Sequence, residues 1–296
     1  MKLFRFGKKG EERPGIIMNN SRFDVSAFNQ DYDEQFFASD GLAQLQRFVR
    51  DNPGKLTLVP EDVRLGPPVK RPGKIICVGL NYRDHAIETN APIPQEPILF
   101  FKSPTAVCGP NDNLVLPKNS TKVDWEVELA VVIGKQATYV HEGNALDHVA
   151  GYMLHNDYSE RAFQLERGGQ WVKGKSCDTF APLGPWLVTP DELGDIDNLN
   201  LWLKVNGTMM QNSSTGQMIF KVPFLIHYIS QFMTLLPGDI ITTGTPHGVG
   251  LGLTPPKYLK EGDIVESGIE GLGSATQRVV SFSHISEHEA TTLVRI

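Results

Sequence analysis

The sequence predicts an α+β fold built on mixed β-sheets. Short β-branched runs, separated by Gly, Pro, Asn and Asp turns, recur along most of the chain, and helical stretches are few. The alternating strand–helix rhythm of a doubly wound sheet is missing, and there is neither a GxGxxG turn nor a P-loop. Glycine (28) and proline (20) are both frequent among the 296 residues, as many turns require.

In chain order, Lys2–Phe6 and Pro14–Met18 read as short strands around a Gly7–Gly10 turn. Gly41–Val49 spaces its leucines and Phe48 helically, with Ser39 or Asp40 placed to cap it. The stretch RLGPPVKRPGK, Arg64–Lys74, is dense in proline, glycine and charge. It marks the expected boundary between a small N-terminal α/β module, residues 1–68, and a main body, residues 69–296. In that body Ile75–Val78, Ile98–Phe101, Val127–Ile133, Val149–Leu154, Trp186–Val188, Leu201–Val205, Ile240–Thr243 and Ile264–Ile269 read as strands. The helical candidates are Arg83–Thr89, Ser159–Glu166 with Ser159 as its cap, and Pro223–Leu236 with proline in the first turn and Pro237-Gly238 after it.

Composition narrows the function. Acids outnumber bases 34 to 28, a net charge of −6, and no basic stripe suited to nucleic acid is visible. No apolar run reaches the roughly 18 residues of a membrane span. The first residues resemble neither a signal nor a transit peptide, so a cytoplasmic enzyme is expected. The three cysteines, Cys77, Cys108 and Cys177, have no local His or Cys partner, which argues against a disulfide scaffold, a zinc cluster or a thiol nucleophile. A GxSxG elbow is also missing.

The stretch VDWEVELAVVIG, residues 123–134, carries the most chemistry. Alternation along a strand would put Asp124, Glu126 and Glu128 on one face. Such stacked acids are relieved either by water on an outer face or by a bound cation. The apolar run Leu129–Ile133 suggests a strand buried on both faces, where unpaired acids are costly. A second apolar strand delivers His155-Asn156-Asp157 at its end, so a third carboxylate can converge on Glu126 and Glu128. Oxygen-only ligands suit Mg²⁺, with Mn²⁺ and Ca²⁺ as further candidates.

In NYRDHAIET, His85 and Glu88 share a helical face, as either a surface pair or an oriented general base. In SERAFQLERGGQWVKGKS, Arg161 and Gln164 likewise share a face, and Lys173 and Lys175 follow a Gly-Gly break. An amphipathic surface helix fits this pattern, and so do groups that bind a carboxylate or an oxyanion. The turn TTGTPHGVGLG, Thr242–Gly252, offers backbone N–H groups and threonine hydroxyls to an anionic ligand end. His247 lies in that turn and carries no assigned role, while His141, His148, His227, His284 and His288 read as structural or surface residues.

Taken together, ICVGLNYRDHAIE, PILFFKSPTAVCGP, DWEVELAVVIG, GYMLHNDYSERAFQ, KGKSCDTFAPLGPWLVT, NGTMMQNSSTGQMIF and MTLLPGDIITTGTPHGVG resemble the fumarylacetoacetate hydrolase family in order, over about residues 70–280. The resemblance implies a mixed β-roll and an Mg²⁺ site made by Glu126, Glu128 and Asp157. It implies His85 and Glu88 as a water-activating pair on a lid, and Lys175 and Gln164 as catalytic groups at the reacting carbonyl. Arg161, Lys102 and Thr245 fall on substrate-binding positions. The implied activity is Mg-dependent hydrolysis of a C–C bond in a 2,4-dioxo acid, closest to members that convert 2,4-dioxo-3-deoxy sugar acids to pyruvate and a hydroxy acid. Oxaloacetate decarboxylation or tautomerisation, a 2-hydroxymuconate-type isomerase, and a non-catalytic 2-oxo acid binder are the alternatives. The expected partner is a small anionic 2-oxo acid, with no nucleic acid or membrane, and the expected assembly is a homodimer.

Overall fold

The computed structural model describes residues 1–88, 90 and 92–282, so His284 and His288 lie outside the described residues. One mixed sheet runs in the order Thr57–Leu58, Ser21–Asp24, Arg13–Met18, Lys2–Phe6, Leu187–Val188, Val149–Asn156, Val127–Ile133, Ile240–Thr242, Ile75–Gly79, Ile98–Lys102. Neighbours are antiparallel except Ile240–Thr242 and Ile75–Gly79, which are parallel. Leu65–Gly66 pairs with Lys2–Phe6 beside this path. The strands of the amino-terminal segment join the rest where Leu3 faces Leu187.

A second sheet orders Thr208–Ser214, Asn200–Val205, Ile264–Ile269, Gly273–Ser281 and Leu114–Leu116. Its hairpin turns at Asn206-Gly207, both at positive φ (51° and 76°), which suits a tight two-residue turn between right-twisted strands. Leu201, Leu203 and Val265 of this sheet share one buried core with Leu129, Val131 and Leu154 of the first. Val127–Ile133 is buried along its whole length, as a strand covered on both faces must be. This is the α+β architecture on mixed sheets, with few helices, that the sequence predicts.

The helices are short and some differ from expectation. Gly41–Asp51 forms, but Asp40 at its start is left-handed and makes no side-chain cap. Ser159 is not a helix cap: Ser159–Glu160 pairs with Val123–Asp124, and the helix is Arg161–Leu165, capped by the Glu160 carboxylate, which accepts the Phe163 N–H. The expected 14-residue helix is Val222–Ile229. It stops because the following backbone is diverted to another strand segment: Tyr139 N–H donates to the Ser230 carbonyl, Val140 N–H to Ser230 Oγ, and Ala137 bridges to Leu235. Val172–Lys175 forms a further short helix outside the helical stretches the sequence predicts. No described helix is long and apolar enough to cross a membrane.

Candidate active site

The two central strands assemble the acids. Glu128 lies opposite His155 in the ladder between Val127–Ile133 and Val149–Asn156, so Asp157 emerges just past the partner strand's end. The Asp157 N–H donates to the Glu126 carbonyl (2.8 Å), and the Glu126 N–H to Asn156 Oδ1 (2.9 Å). These bonds bring one carboxylate oxygen from each of Glu126, Glu128 and Asp157 within 4.8 Å of one another, all three residues buried. Asp124 does not join them. The strand breaks at Trp125-Glu126, so the alternation read from the sequence fails there. Asp124 instead accepts N–H groups from Gly250 (2.6 Å) and Leu251 (2.9 Å) and pairs with Arg161 (2.8 Å).

Three cations surround this nest. Arg161 bridges Asp124 and Glu126 (2.7 Å to the latter) and donates to Gln164 Oε1 (3.0 Å). Lys175 Nζ lies 2.7 Å from Glu126 and 2.9 Å from Asp157. Lys102, expected to touch substrate, is fully buried behind the cluster, paired with Asp157 and donating to the Tyr158 carbonyl. Four carboxylates (Asp124, Glu126, Glu128 and Asp157) thus meet three cations, a formal balance of −1.

Glu128 holds the unmet charge. Among the described residues no cation lies within ion-pair distance of it, and its Oε2 accepts only the Gly244 N–H (2.9 Å) among the resolved bonds. Burial, with Asp157 and Glu126 close by, pushes its carboxyl well above the usual range. Burial also opposes ionisation of Glu126 and Asp157, yet the first stays below the usual range through Lys175 and Arg161, and the second through Lys102 and Lys175. His155 is driven by burial down to about 4 and is neutral, with Nδ1 donating to the Pro182 carbonyl (2.9 Å). A buried all-oxygen nest short of one positive charge fits a hard divalent cation.

His85 and Glu88 meet side chain to side chain. The helix Arg83–Glu88 presents His85 and Glu88 on one side, with Nδ1 and Oε2 3.2 Å apart. The glycine-rich turn has a different task from the one its sequence suggests. Its N–H groups are spent on the protein's own carboxylates: Gly244 on Glu128, Gly248 on Glu88 (2.9 Å), Gly250 and Leu251 on Asp124. Gly248 has φ +95°, and a Cβ there would sit 1.9 Å from the Met210 carbonyl, so the turn requires glycine. His247 Nδ1 lies 3.0 Å from Asp84, which ties the turn to the start of the His85 helix.

A cavity opens over this nest, lined on its polar side by His85, Glu126, Glu128, Arg161, Gln164, Lys175 and Thr245. Thr245 Oγ1 donates to the Val127 carbonyl (3.0 Å) and accepts from Gln211 (2.8 Å). Gln211, buried and also accepting the Val127 N–H (2.9 Å), carries no local signal in the sequence. Phe100 and Trp171 also stand on the cavity wall; the tryptophan two residues after the Gly168-Gly169 break is the signal the sequence offers for the latter. Removing the Asp124 carboxylate leaves the Gly250 and Leu251 N–H groups without their acceptor and Arg161 with one of its two carboxylate partners. Asp124→Ala is expected to lower stability by about 3–5 kcal/mol, measured as a shift of the denaturant midpoint at constant m.

The chain is similar to known proteins in sequence and in fold. A sequence model of the fumarylacetoacetate hydrolase C-terminal domain matches residues 74–280. A 2,4-didehydro-3-deoxy-L-rhamnonate hydrolase from a Sphingomonas strain is 50% identical over 289 residues, 97% of this chain and 99% of that protein. The fumarylacetoacetate hydrolase of Exiguobacterium antarcticum superposes with a TM-score of 0.82 at 35% identity, covering 95% of this chain and 99% of the other. A maleylpyruvate hydrolase from a Sphingobium strain, crystallised with manganese(II) and pyruvate, gives a TM-score of 0.79 at 30% identity over 95% and 99% of the two chains.

Proposed function

The chain belongs to the fumarylacetoacetate hydrolase family, and on that premise we propose that it is a divalent-metal-dependent hydrolase cleaving a C–C bond in a 2,4-dioxo acid. The carrying observation is the buried convergence of Glu126, Glu128 and Asp157 beneath a cavity that His85 also lines. The relative that is 50% identical supports a 2,4-dioxo-3-deoxy sugar acid as substrate, giving pyruvate and a hydroxy acid. Mg²⁺ is the cation we propose, with Mn²⁺ as substitute, held by those three carboxylates. A cytoplasmic homodimer is the assembly we propose, on family grounds alone.

The cation would supply Lewis acidity at the 2-oxo-carboxylate end and at the departing three-carbon fragment. The chain's own residues do the rest. His85 takes a proton from water, and Glu88, fixed by the Gly248 N–H, orients the ring and offsets the charge it gains. The hydroxide adds to the C4 carbonyl, and the C3–C4 bond breaks as the proton passes to C3. Lys175 and Gln164, both on the cavity wall, face the oxyanion formed at C4. Lys102, out of reach of the cavity, holds Asp157 ionised and in place. Asp124 does the same for Arg161, which aligns Glu126 and Gln164.

The test is a panel of acylpyruvates and 2,4-dioxo-3-deoxy sugar acids with Mg²⁺, Mn²⁺ or EDTA, pyruvate release being the readout. We expect metal-dependent release that EDTA stops. Ligand binding without any release across the panel would leave a binding module, and release undiminished by EDTA would remove the metal from the reading.

A further inference from the structure

We infer that Trp171 is the specificity-determining residue of this cavity, selecting 2-oxo acids whose far end is uncharged over those carrying a second carboxylate there. The inference rests on the reading of the site as a 2-oxo acid site. It deepens that reading by naming which chain of atoms beyond the dioxo group is accepted.

The cations on the cavity wall are already engaged. Arg161 is held by Asp124 and Glu126, Lys175 by Glu126 and Asp157, and His85 is paired with Glu88. The rest of the wall is apolar, made by Leu80, Phe100, Leu165, Trp171, Val249 and Leu251 among others. A second carboxylate set against that surface would lose its water without gaining a partner, whereas a methyl-tipped chain loses nothing.

The seat of Trp171 is built into the backbone around it. Gly79, at the end of its strand, has no room for a side chain: a Cβ there would lie 2.7 Å from the indole ring. Its neighbour Leu80 is held at φ +50°, a costly conformation for a bulky residue, and lines the same cavity. Gly168 and Gly169, both at positive φ (80° and 69°), turn the chain so that Trp171 returns over the cavity. The indole meets Phe100 edge-on at 5.3 Å, and the Phe100 ring centre lies 5.0 Å from Lys175 Nζ. Trp171 also opens the short helix that carries Lys175. Trp171 is thereby packed, through one ring, onto the lysine that also lines the cavity.

Binding separates this inference from the chemistry. With Mg²⁺ present, titration calorimetry of the full chain compares 2-oxohexanoate with 2-oxohexanedioate, which have equal chain length and differ by the distal carboxylate. The monoacid is expected to bind at least about tenfold more tightly, within the range an apolar pocket can discriminate. Trp171→Ala should bring the ratio close to one, Trp171→Phe should keep most of it, and Trp171→Arg should invert it. A diacid bound as tightly as the monoacid by the unaltered protein overturns the inference, as does a ratio that none of the folded variants changes. If neither acid binds with Mg²⁺ or Mn²⁺, the 2-oxo acid reading itself falls and takes this inference with it; if the monoacid binds selectively and Trp171 governs the ratio, the inference stands whatever the turnover panel reports.

Discussion

Asp157→Asn is expected to remove metal-dependent turnover, lowering kcat/KM by on the order of 10³-fold or more. Lewis-acid stabilisation is worth several kcal/mol, and each ~1.4 kcal/mol is tenfold in rate. Asparagine keeps the shape of the side chain and one oxygen, but loses the charge that Lys102 and Lys175 both face. Those buried lysines would then share fewer acids, so the variant should also be less stable. Glu128→Gln separates the two effects. Glu128 lacks an ion-pair partner among the described residues and already resists ionisation, so its replacement should cost little stability while still weakening the metal site. The paired measurements are calorimetric Mn²⁺ affinity and the rise in Tm on adding metal, which follows mass action. Both variants should lose that rise, and only Asp157→Asn should have a lower Tm without metal. Retention of the metal-induced shift in both would remove these carboxylates from the metal site.

Why the acids could be read from the sequence, and their setting only partly, follows from the kind of information each needs. The spacing of Glu126 and Glu128 and the placement of Asp157 at a strand end are local, and the structure brings the three together. Asp124 obeys the same alternation but leaves the group, because the chain breaks pairing between Asp124 and Val127 and turns that side chain toward Arg161 and the glycine turn. The partners that decide the charge come from far along the chain: Lys102 is 55 residues from Asp157, and Gly250 is 126 from Asp124. A sum over Glu126, Glu128, Asp157 and a dication alone gives about −1. With Lys102 and Lys175 buried against these acids, and Arg161 balancing Asp124, the site with a dication is about +1 and suits an anionic ligand better. In the fold, the long central strands were legible from their apolar runs, whereas Pro223–Leu236 was over-extended because nothing local marks the diversion of residues 230–236 to pair with 137–140. The Thr208–Ser214 strand does have a local signal, the Asn206-Gly207 turn before it.

His85→Ala is expected to slow acylpyruvate hydrolysis by about 10²–10⁴-fold in kcat, the usual contribution of a general base, with Mg²⁺ affinity unchanged. The imidazole lies on the cavity wall, and neither its ring nor the Arg83–Glu88 helix contributes to the carboxylate nest. Glu88→Gln should cost about as much: the amide carbonyl can still accept the Gly248 N–H, but the amide nitrogen then donates to Nδ1, which moves the ring proton to Nε2 and removes the base. The double variant should be no slower than His85→Ala within about threefold, because in the proposed mechanism Glu88 acts through the histidine. A second substrate makes the assignment specific. Decarboxylation of oxaloacetate needs electron withdrawal at the 2-oxo group and no attacking water, so any such activity should survive in His85→Ala while hydrolysis does not. Equal loss of both reactions would mean that the substitution disturbs the site as a whole, and loss of neither would leave the proton with another group. The split between the two substrates is therefore the result that ties His85 to water rather than to the shape of the cavity.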